Sequence, residues 1–191
     1  AVDRGTLEVS VSASGKIVPA VEEIITSPVS ARIVEVYRRS GDSVEAGTPL
    51  LKLDLQSTET EYHKQLDEER MKQLQLDQLR MNNETYLGDL AMKVKVQAMK
   101  VGRMEADLRN ERYLDSLGSG TTDRVRQAEL AYNTGCLELE QLRQQYANEQ
   151  KVKEADLKVK QLELDIFRKS LSETRRTLED AQLRSPRKAI L

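Results

Sequence analysis

The feature that most constrains this sequence is one cluster of helix breakers midway through a long helix-like stretch. Residues 117–122 read Leu-Gly-Ser-Gly-Thr-Thr, and apolar residues recur at seven-residue intervals both before and after them. Repeats of this length bury a seam against a partner helix. Because the cluster lies almost midway between Asp54 and Leu183, the sequence predicts two long helices that turn at 117–122 and pack side by side.

The same spacing predicts which residues of the two helical arms face each other. Two residues on different arms whose numbers sum to about 238 should lie at the same height, that is, at the same distance from the turn. The heptad register slips between Tyr146 and Val152, so we expect a local irregularity there. Gly102 and Gly135 fall at nearly the same height, either by coincidence or because the arms bend or approach closely there. The predicted facing pairs are Leu108 with Leu130, Val101 with Leu137, Met81 with Leu157, and Leu74 with Leu164.

Composition supports a coiled coil and argues against several functional classes. Gln, Glu, Lys, Arg and Leu dominate from residue 55 onward. The formal net charge is −2 with both signs interspersed, so there is no basic stripe and we expect no nucleic-acid binding. No stretch approaches the ~20 apolar residues of a membrane span. No catalytic triad, phosphate-binding loop or ligand cluster can be assembled, so we expect no enzyme activity, metal or cofactor.

The segments on either side of the helices have a β-like texture. Leu7 to Ala13 alternate between apolar and polar residues, which predicts a half-buried strand. Arg32 to Tyr37 form a second β-like run that is followed by turn residues. Ser27 and Ser185 each begin an S-P-x-x-A phrase, one before the helices and one after them. This weak repeat suggests a two-fold symmetric β-domain that is split by the helical hairpin.

The stretch from Ala31 to Asp54 resembles the first half of a lipoyl (biotinyl-like) domain. It is similar to the version found in membrane fusion proteins, also called periplasmic adaptors, of the HlyD and MacA type. The resemblance implies an α+β fold dominated by α, with a long antiparallel two-helix coiled-coil hairpin inserted in a split lipoyl-like β-domain. The matching pattern is G-D-x-V-x-x-G-x-x-L-x-x-L-D, here Gly41, Asp42, Val44, Gly47, Leu50, Leu53 and Asp54.

The resemblance divides the chain into four regions. Residues 1–21 are a β-strand region that leads towards the β-barrel of the full-length protein, and residues 22–54 are the first half of the lipoyl-like domain. Residues 55–183 are the helical hairpin, with its tip at 117–122. Residues 184–191 begin the second lipoyl half, which is truncated. Since the sequence lacks an initiator Met and a signal peptide, we expect a fragment without its targeting or anchoring segment.

The resemblance also implies a function in efflux or secretion. A periplasmic adaptor links an inner-membrane transporter, of ABC or RND type, to an outer-membrane channel of TolC type. It assembles into a ring, hexameric or trimeric, and is anchored to the inner membrane from the periplasm. The alternative is a structural coiled-coil spacer without a transport role. A lipoyl or biotinyl carrier is disfavoured, because Leu53-Asp54-Leu55 stands where the modified lysine would be.

The hairpin tip is where the resemblance places contacts with the channel. The family carries an R-L-x-x-L phrase and a later Ser or Thr; here the leucines match, Tyr113 replaces the arginine, and Arg112 lies one place early. A purely structural interpretation is that the glycines supply positive φ and that Thr121 or Thr122 caps the returning helix. The candidate partner-binding residues are Arg112, Tyr113, Leu114, Leu117, Ser119, Gly120, Thr121 and Thr122.

Overall fold

The computed structural model describes all 191 residues and divides the chain into two compact units. One unit combines Ala1–Leu53 with Asp180–Leu191 and contains short antiparallel strands, and the other, Asp54–Glu179, consists of long helices. The predicted fold class, α+β dominated by a two-helix hairpin, is confirmed.

The helical unit consists of α1, Gln56–Ser116, and α2, Thr122–Asp180. Contacts between the two helices occur along their whole length, and the residue numbers of each contacting pair sum to between 232 and 241. The predicted correspondence of heights therefore holds. Neither helix combines the length and the apolar character that crossing a bilayer requires. The contacting pairs are Glu69 with Arg168, Asn83 with Lys153, Gln97 with Gly135, and Arg112 with Glu129.

The buried face of α1 follows an unbroken heptad pattern. Leu76, Asn83, Leu90 and Gln97 are buried at intervals of seven, and a neighbouring row contains Val101 and Leu108. The predicted seam residues Val101 and Leu108 are thus confirmed. The predicted placement of Leu74 and Met81 on the seam is wrong, since both are exposed. The heptad spacing indicated the wrong row because α1 carries a second apolar row, which is exposed. The buried row includes the polar residues Asn83 and Gln97, so its apolar pattern is weaker.

The buried face of α2 also differs from the predicted one near the tip. Leu130 and Leu137, the predicted partners of Leu108 and Val101, are exposed. Gly135 and Leu139 occupy the seam instead. A Cβ atom on Gly135 would lie 2.7 Å from Met104 Sδ, so this glycine permits a close approach of the arms. Gly102 has open space around it and takes no part in that approach.

The predicted register slip in α2 occurs without a break in the helix. Glu149, Lys153, Leu157 and Gln161 are half-buried at consecutive four-residue steps, after which Leu164 resumes the heptad. Consecutive four-residue steps correspond to the insertion of four residues into a heptad series, which locally unwinds the supercoil. The irregularity is therefore a change of packing register in a continuous helix.

The β unit contains four short strands in two antiparallel pairs. Strand β1, Ile33–Val36, pairs with β3, Leu51–Leu53, and strand β2, Ser43–Val44, pairs with β4, Ala189–Ile190. The turns on either side of β2 contain Gly41 and Gly47, both at positive φ. A small core is formed by three almost fully buried side chains, those of Val44, Leu50 and Ala181.

The C-terminal segment completes this unit by pairing with the residues before the hairpin. The Leu50 amide donates to the Leu183 carbonyl at 3.0 Å, and the Ser185 amide donates to the Thr48 carbonyl at 2.9 Å. The two S-P-x-x-A phrases also have the same local structure. In each, the serine hydroxyl donates to the carbonyl two residues later, Ser27 at 2.7 Å and Ser185 at 2.6 Å. This shared hydrogen bond supports the internal repeat.

The strand predicted over Leu7 to Ala13 is not formed. No strand precedes Ile33, and Leu7, Val9 and Val11 are exposed. Alternation gives a segment one apolar face, but a strand also needs a hydrogen-bonding edge beside it. No strand of this chain pairs with the segment, so the prediction was wrong for residues 7–13.

Candidate functional site at the hairpin tip

The tip closes α1 with a motif that uses a left-handed glycine. Leu117 follows the last helical residue, and Gly118 has a φ of 74°. The Gly118 amide donates to the Asp115 carbonyl at 2.9 Å, and the Ser119 amide donates to the Leu114 carbonyl at 3.1 Å. These two bonds are the Schellman pattern, which satisfies carbonyl groups left open at a helix end. The turn therefore has one defined geometry.

Gly120 is required for a different reason, namely space. Its amide also donates to the Leu114 carbonyl, at 3.0 Å. A Cβ atom there would lie 2.7 Å from the Asp115 backbone nitrogen and 3.0 Å from the Asp115 Cα. Backbone atoms cannot move aside as the end of a side chain can. The expectation that the glycines supply positive φ therefore applies to Gly118 and not to Gly120.

The returning helix begins with a hydroxyl cap. Thr121 Oγ1 accepts from the Arg124 amide at 3.4 Å, and the Thr121 carbonyl accepts from the amides of Arg124 and Val125. Thr122 is the first helical residue, and Asp123 lies in the first turn, where a negative charge is favourable. Of the two threonines considered from the sequence, Thr121 is the cap.

Two of the candidate residues are engaged in holding the arms and the turn. Arg112 Nη2 lies 2.6 Å from Glu129 Oε1 and so connects α1 to α2 one turn below the tip. Leu114 is half-buried, and its carbonyl accepts both amides of the closing turn. These residues position the tip, and their side chains are less available to a partner than the sequence suggested.

Five of the other candidate residues form the exposed surface of the tip, whereas Gly120 is half-buried. The Tyr113 and Leu117 side chains are 62% and 59% exposed, although both are large and apolar in character. Ser119, Thr121 and Thr122 are exposed beside them. The tip thus presents two apolar groups and several hydroxyl groups on a turn fixed by backbone hydrogen bonds. Such a surface can bury apolar area and hydrogen-bond a partner at the same time.

A groove between the arms lies just below the tip, and no sequence pattern indicated it. The small side chains of Ala128 and Ala131 line it together with the charged side chains of Glu111 and Arg124. Glu111 Oε2 is buried and has no hydrogen-bond partner. Farther along α2, a hydrogen bond with Cys136 raises the pKa of Tyr132.

Comparisons with known proteins find solved structures that are similar to this chain. No family model and no curated protein matches this chain. The chain is similar to the periplasmic adaptor protein EmrA, with a TM-score of 0.34 and 16% identity over 87% of this chain and 64% of that one. It is also similar to the soluble domain of LipC, a membrane fusion protein of a type I secretion system. There the TM-score is 0.37 and the identity 13%, over 85% of this chain and 88% of that one.

Proposed function

We propose that this protein is a periplasmic adaptor that links an inner-membrane transporter to an outer-membrane channel for efflux or secretion. The observation that carries the proposal is the hairpin tip. Tyr113 and Leu117 are exposed on a turn whose backbone amides from Leu117 to Gly120 all have acceptors. Apolar side chains that a rigid turn holds exposed next to hydroxyl groups can bury area against a partner without a change in the turn.

The regions of the chain take distinct roles in this proposal. Residues 55–183 form the arm that carries the tip to the channel. Residues 22–54 and 184–191 form the lipoyl-like part, and residues 1–21 lead towards a β-barrel. The transporter is of ABC or RND type, the channel is of TolC type, and three or six copies form a ring. The protein is anchored to the inner membrane from the periplasmic side, and its role is structural rather than catalytic.

The energy available from one tip is small, which suits an adaptor that works as several copies. Full burial of a large apolar side chain contributes about 1.5–3 kcal/mol. Since Tyr113 and Leu117 are each a little more than half exposed, burying both contributes about 2–4 kcal/mol per copy. A contact this weak becomes firm when several linked copies engage at once, because each later contact forms within the assembly.

The test is a pair of substitutions at Leu117 in the full-length protein. Leu117→Asp places a charge in the proposed contact, and Leu117→Met is the matched control that keeps an apolar side chain. We expect Leu117→Asp to abolish export and co-purification of the outer-membrane channel, while the transporter still co-purifies. Normal export by Leu117→Asp, or loss of the transporter instead of the channel, would show that the tip is only a turn.

Gly120→Trp is a poor probe of the same contact. Even a Cβ atom at this position meets the Asp115 backbone. A larger side chain would deform the turn as well as block a partner, so a loss of export would have two explanations. Leu117 is mostly exposed and the turn is held by backbone hydrogen bonds, so we expect its replacement to leave the fold of the tip unchanged.

A further inference from the structure

The middle of the hairpin lacks fully buried apolar side chains in both arms. In α1, no apolar residue between Leu76 and Leu90 is buried. In α2, no residue of any kind is buried between Leu139 and Leu164. Buried apolar side chains lie on both sides of this gap. The seam therefore contributes little to holding the two helices together at a point far from either end of the hairpin.

The gap coincides with the change of packing register in α2. The half-buried residues of that change run from Glu149 to Gln161. Since level residues have numbers that sum to about 238, the matching residues of α1 are 77–89. A local loss of supercoil also removes the regular knobs-into-holes contacts that the heptad sections have on either side. We call residues 77–89 and 149–161 the middle section of the hairpin.

Polar side chains occupy the seam of the middle section. Asn83 is 5% exposed and stands midway between Leu76 and Leu90 on the heptad row. Its side-chain amide donates to the Lys153 carbonyl at 3.4 Å, which is longer than the distance of about 2.7–3.2 Å in most N–H···O hydrogen bonds. On α2, Glu149 and Lys153 are half-buried. One long hydrogen bond in place of apolar contacts makes this section less stable than its flanks.

The remaining contacts of the middle section do not depend on one fixed geometry. The Lys153 Nζ atom lies 5.0 Å from the centre of the ring of Tyr86, a residue that is 42% exposed. Because lysine reaches the ring through a flexible four-carbon stem, this cation–π contact tolerates a shift of one helix along the other. Leu79, Leu87 and Leu157 are half-buried in the same section. They hold the arms together without close packing.

A glycine lies in the middle section of α1. Gly88 is exposed, and a Cβ atom there would meet nothing within 4 Å. Space therefore does not require glycine at this position, in contrast to Gly120 and Gly135. What Gly88 adds is backbone freedom, because glycine is less stable than alanine in the interior of a helix. A weak point of the α1 backbone thus falls within the weakly packed part of the seam.

We propose that the hairpin bends in its middle section, where residues 77–89 and 149–161 act as a hinge between two stiffer parts. The distal part, residues 90–148, contains buried apolar residues of both arms, and so does the part made of residues 56–76 and 162–180. A bend changes the paths of the two arms by different amounts. The middle section accommodates the resulting shift, because none of its contacts depends on close apolar packing.

Native-state hydrogen exchange tests the weakness of the middle section. Its amides should open more often than the amides around Val101 and Leu164, where the seam is buried. Gly88→Ala should lower the frequency of this opening by about two- to five-fold, because alanine stabilises the helix there. The matched control is Gly102→Ala. It replaces a helical glycine that also has open space but lies in the distal part, so it should leave exchange in the middle section unchanged.

Distances between spin labels test the bend itself. With Cys136 replaced by Ser, labels on Lys64→Cys and Lys100→Cys occupy exposed positions on either side of the middle section. A straight helix would separate these two positions by about 54 Å. We expect double electron–electron resonance to give a broad distribution that extends to shorter distances. Asn83→Leu in the same labelled protein should narrow it towards the straight value, because a leucine at this buried position makes opening about ten-fold rarer or more.

A second pair of labels shows whether the breadth belongs to the middle section. Met92→Cys with Asn110→Cys lies wholly in the distal part, and its distribution should be narrow with or without Asn83→Leu. Narrowing of the long pair alone supports the hinge. A long pair that is as narrow before Asn83→Leu as after it overturns the proposal, and so does a middle section protected as strongly as its flanks. An effect of Gly102→Ala on the middle section equal to that of Gly88→Ala would overturn it as well.

The hinge belongs to the helical unit and does not depend on the proposed role of the tip. Leu117→Asp should therefore leave the label distances and the exchange of the middle section unchanged. A straight hairpin in a protein that loses export through Leu117→Asp would overturn the hinge and leave the role of the tip intact. A bending hairpin in a protein whose Leu117→Asp variant exports normally would support the hinge and contradict the role of the tip.

Discussion

Substitution of Gly120 by Ala tests whether the fixed geometry of the tip matters apart from the groups it exposes. Alanine adds one Cβ atom, which would lie 2.7 Å from the Asp115 backbone nitrogen and 3.1 Å from the Leu114 carbonyl carbon. The turn can relieve this clash only by moving away from α1. That movement breaks the hydrogen bonds from the Ser119 and Gly120 amides to the Leu114 carbonyl.

The expected loss follows from those two bonds. Each intramolecular hydrogen bond contributes about 0.5–1.5 kcal/mol net, so the closing turn should lose about 1–3 kcal/mol of local stability. A difference of about 1.4 kcal/mol is tenfold in an equilibrium constant, which makes the local opening of the tip about 5 to 150 times more frequent. The change should be confined to the tip, since the seam at Leu76 and Leu164 is far along the helices.

Native-state hydrogen exchange measures this opening directly. In Gly120→Ala, protection of the amides from 113 to 125 should fall by that factor, while amides around Leu76 and Leu164 keep their protection. Ser119→Ala is the control, because the Ser119 side chain is exposed and makes no hydrogen bond in the turn. Unchanged protection at the tip of Gly120→Ala would refute the inference that space, and not φ, requires this glycine.

Further substitutions test the hairpin itself. Gly102→Ala should stabilise the protein by about 0.5–1 kcal/mol, because this helical glycine has open space around it. Gly135→Val should destabilise the protein by about 1–3 kcal/mol through overpacking of the seam. Urea unfolding followed by circular dichroism measures both free energies. Leu164→Ala should lower the free energy of unfolding by about 2–5 kcal/mol, because this side chain is 1% exposed. Leu162→Ala should lower it by less than about 0.5 kcal/mol, because this side chain is 59% exposed. Leu108→Asp should fray the distal hairpin alone, as seen by hydrogen exchange, since it buries a carboxylate near the tip; uniform loss of helicity would contradict this.

The sequence predicted the hairpin and its heights well because both depend on spacing. The single breaker cluster and the seven-residue period determine where the chain turns and which residues are level. The choice of seam could not be made in the same way. Each helix has two apolar rows of equal period, and only packing decides that Leu76 is buried while Leu74 is exposed. Gly135 shows the same limit, since a glycine gives no apolar signal although it is buried in the seam.

At the hairpin tip, too, some features were predictable from the sequence and others were not. Breaker residues and a threonine cap are local signals, so the turn and its helix ends were predictable. The separate roles of Gly118 and Gly120 were not, because one depends on a dihedral angle and the other on the path of the backbone through Asp115. The ion pair of Arg112 with Glu129 likewise joins residues on different helices, and spacing within one helix gives no indication of it.

The buried polar residues of the seam fix the register of the two helices. Asn83 donates to the Lys153 carbonyl at 3.4 Å and Gln97 donates to the Gly135 carbonyl at 3.3 Å, and a buried amide stabilises a coiled coil less than an apolar residue would. What such residues contribute is register. A slip of α2 by one heptad would leave apolar residues in the seam, but it would bring Ala131 or Gln145 level with Gln97 in place of Glu138, whose carboxylate accepts from Gln97 at 3.1 Å. Of these registers, the observed one alone keeps this charge-assisted hydrogen bond.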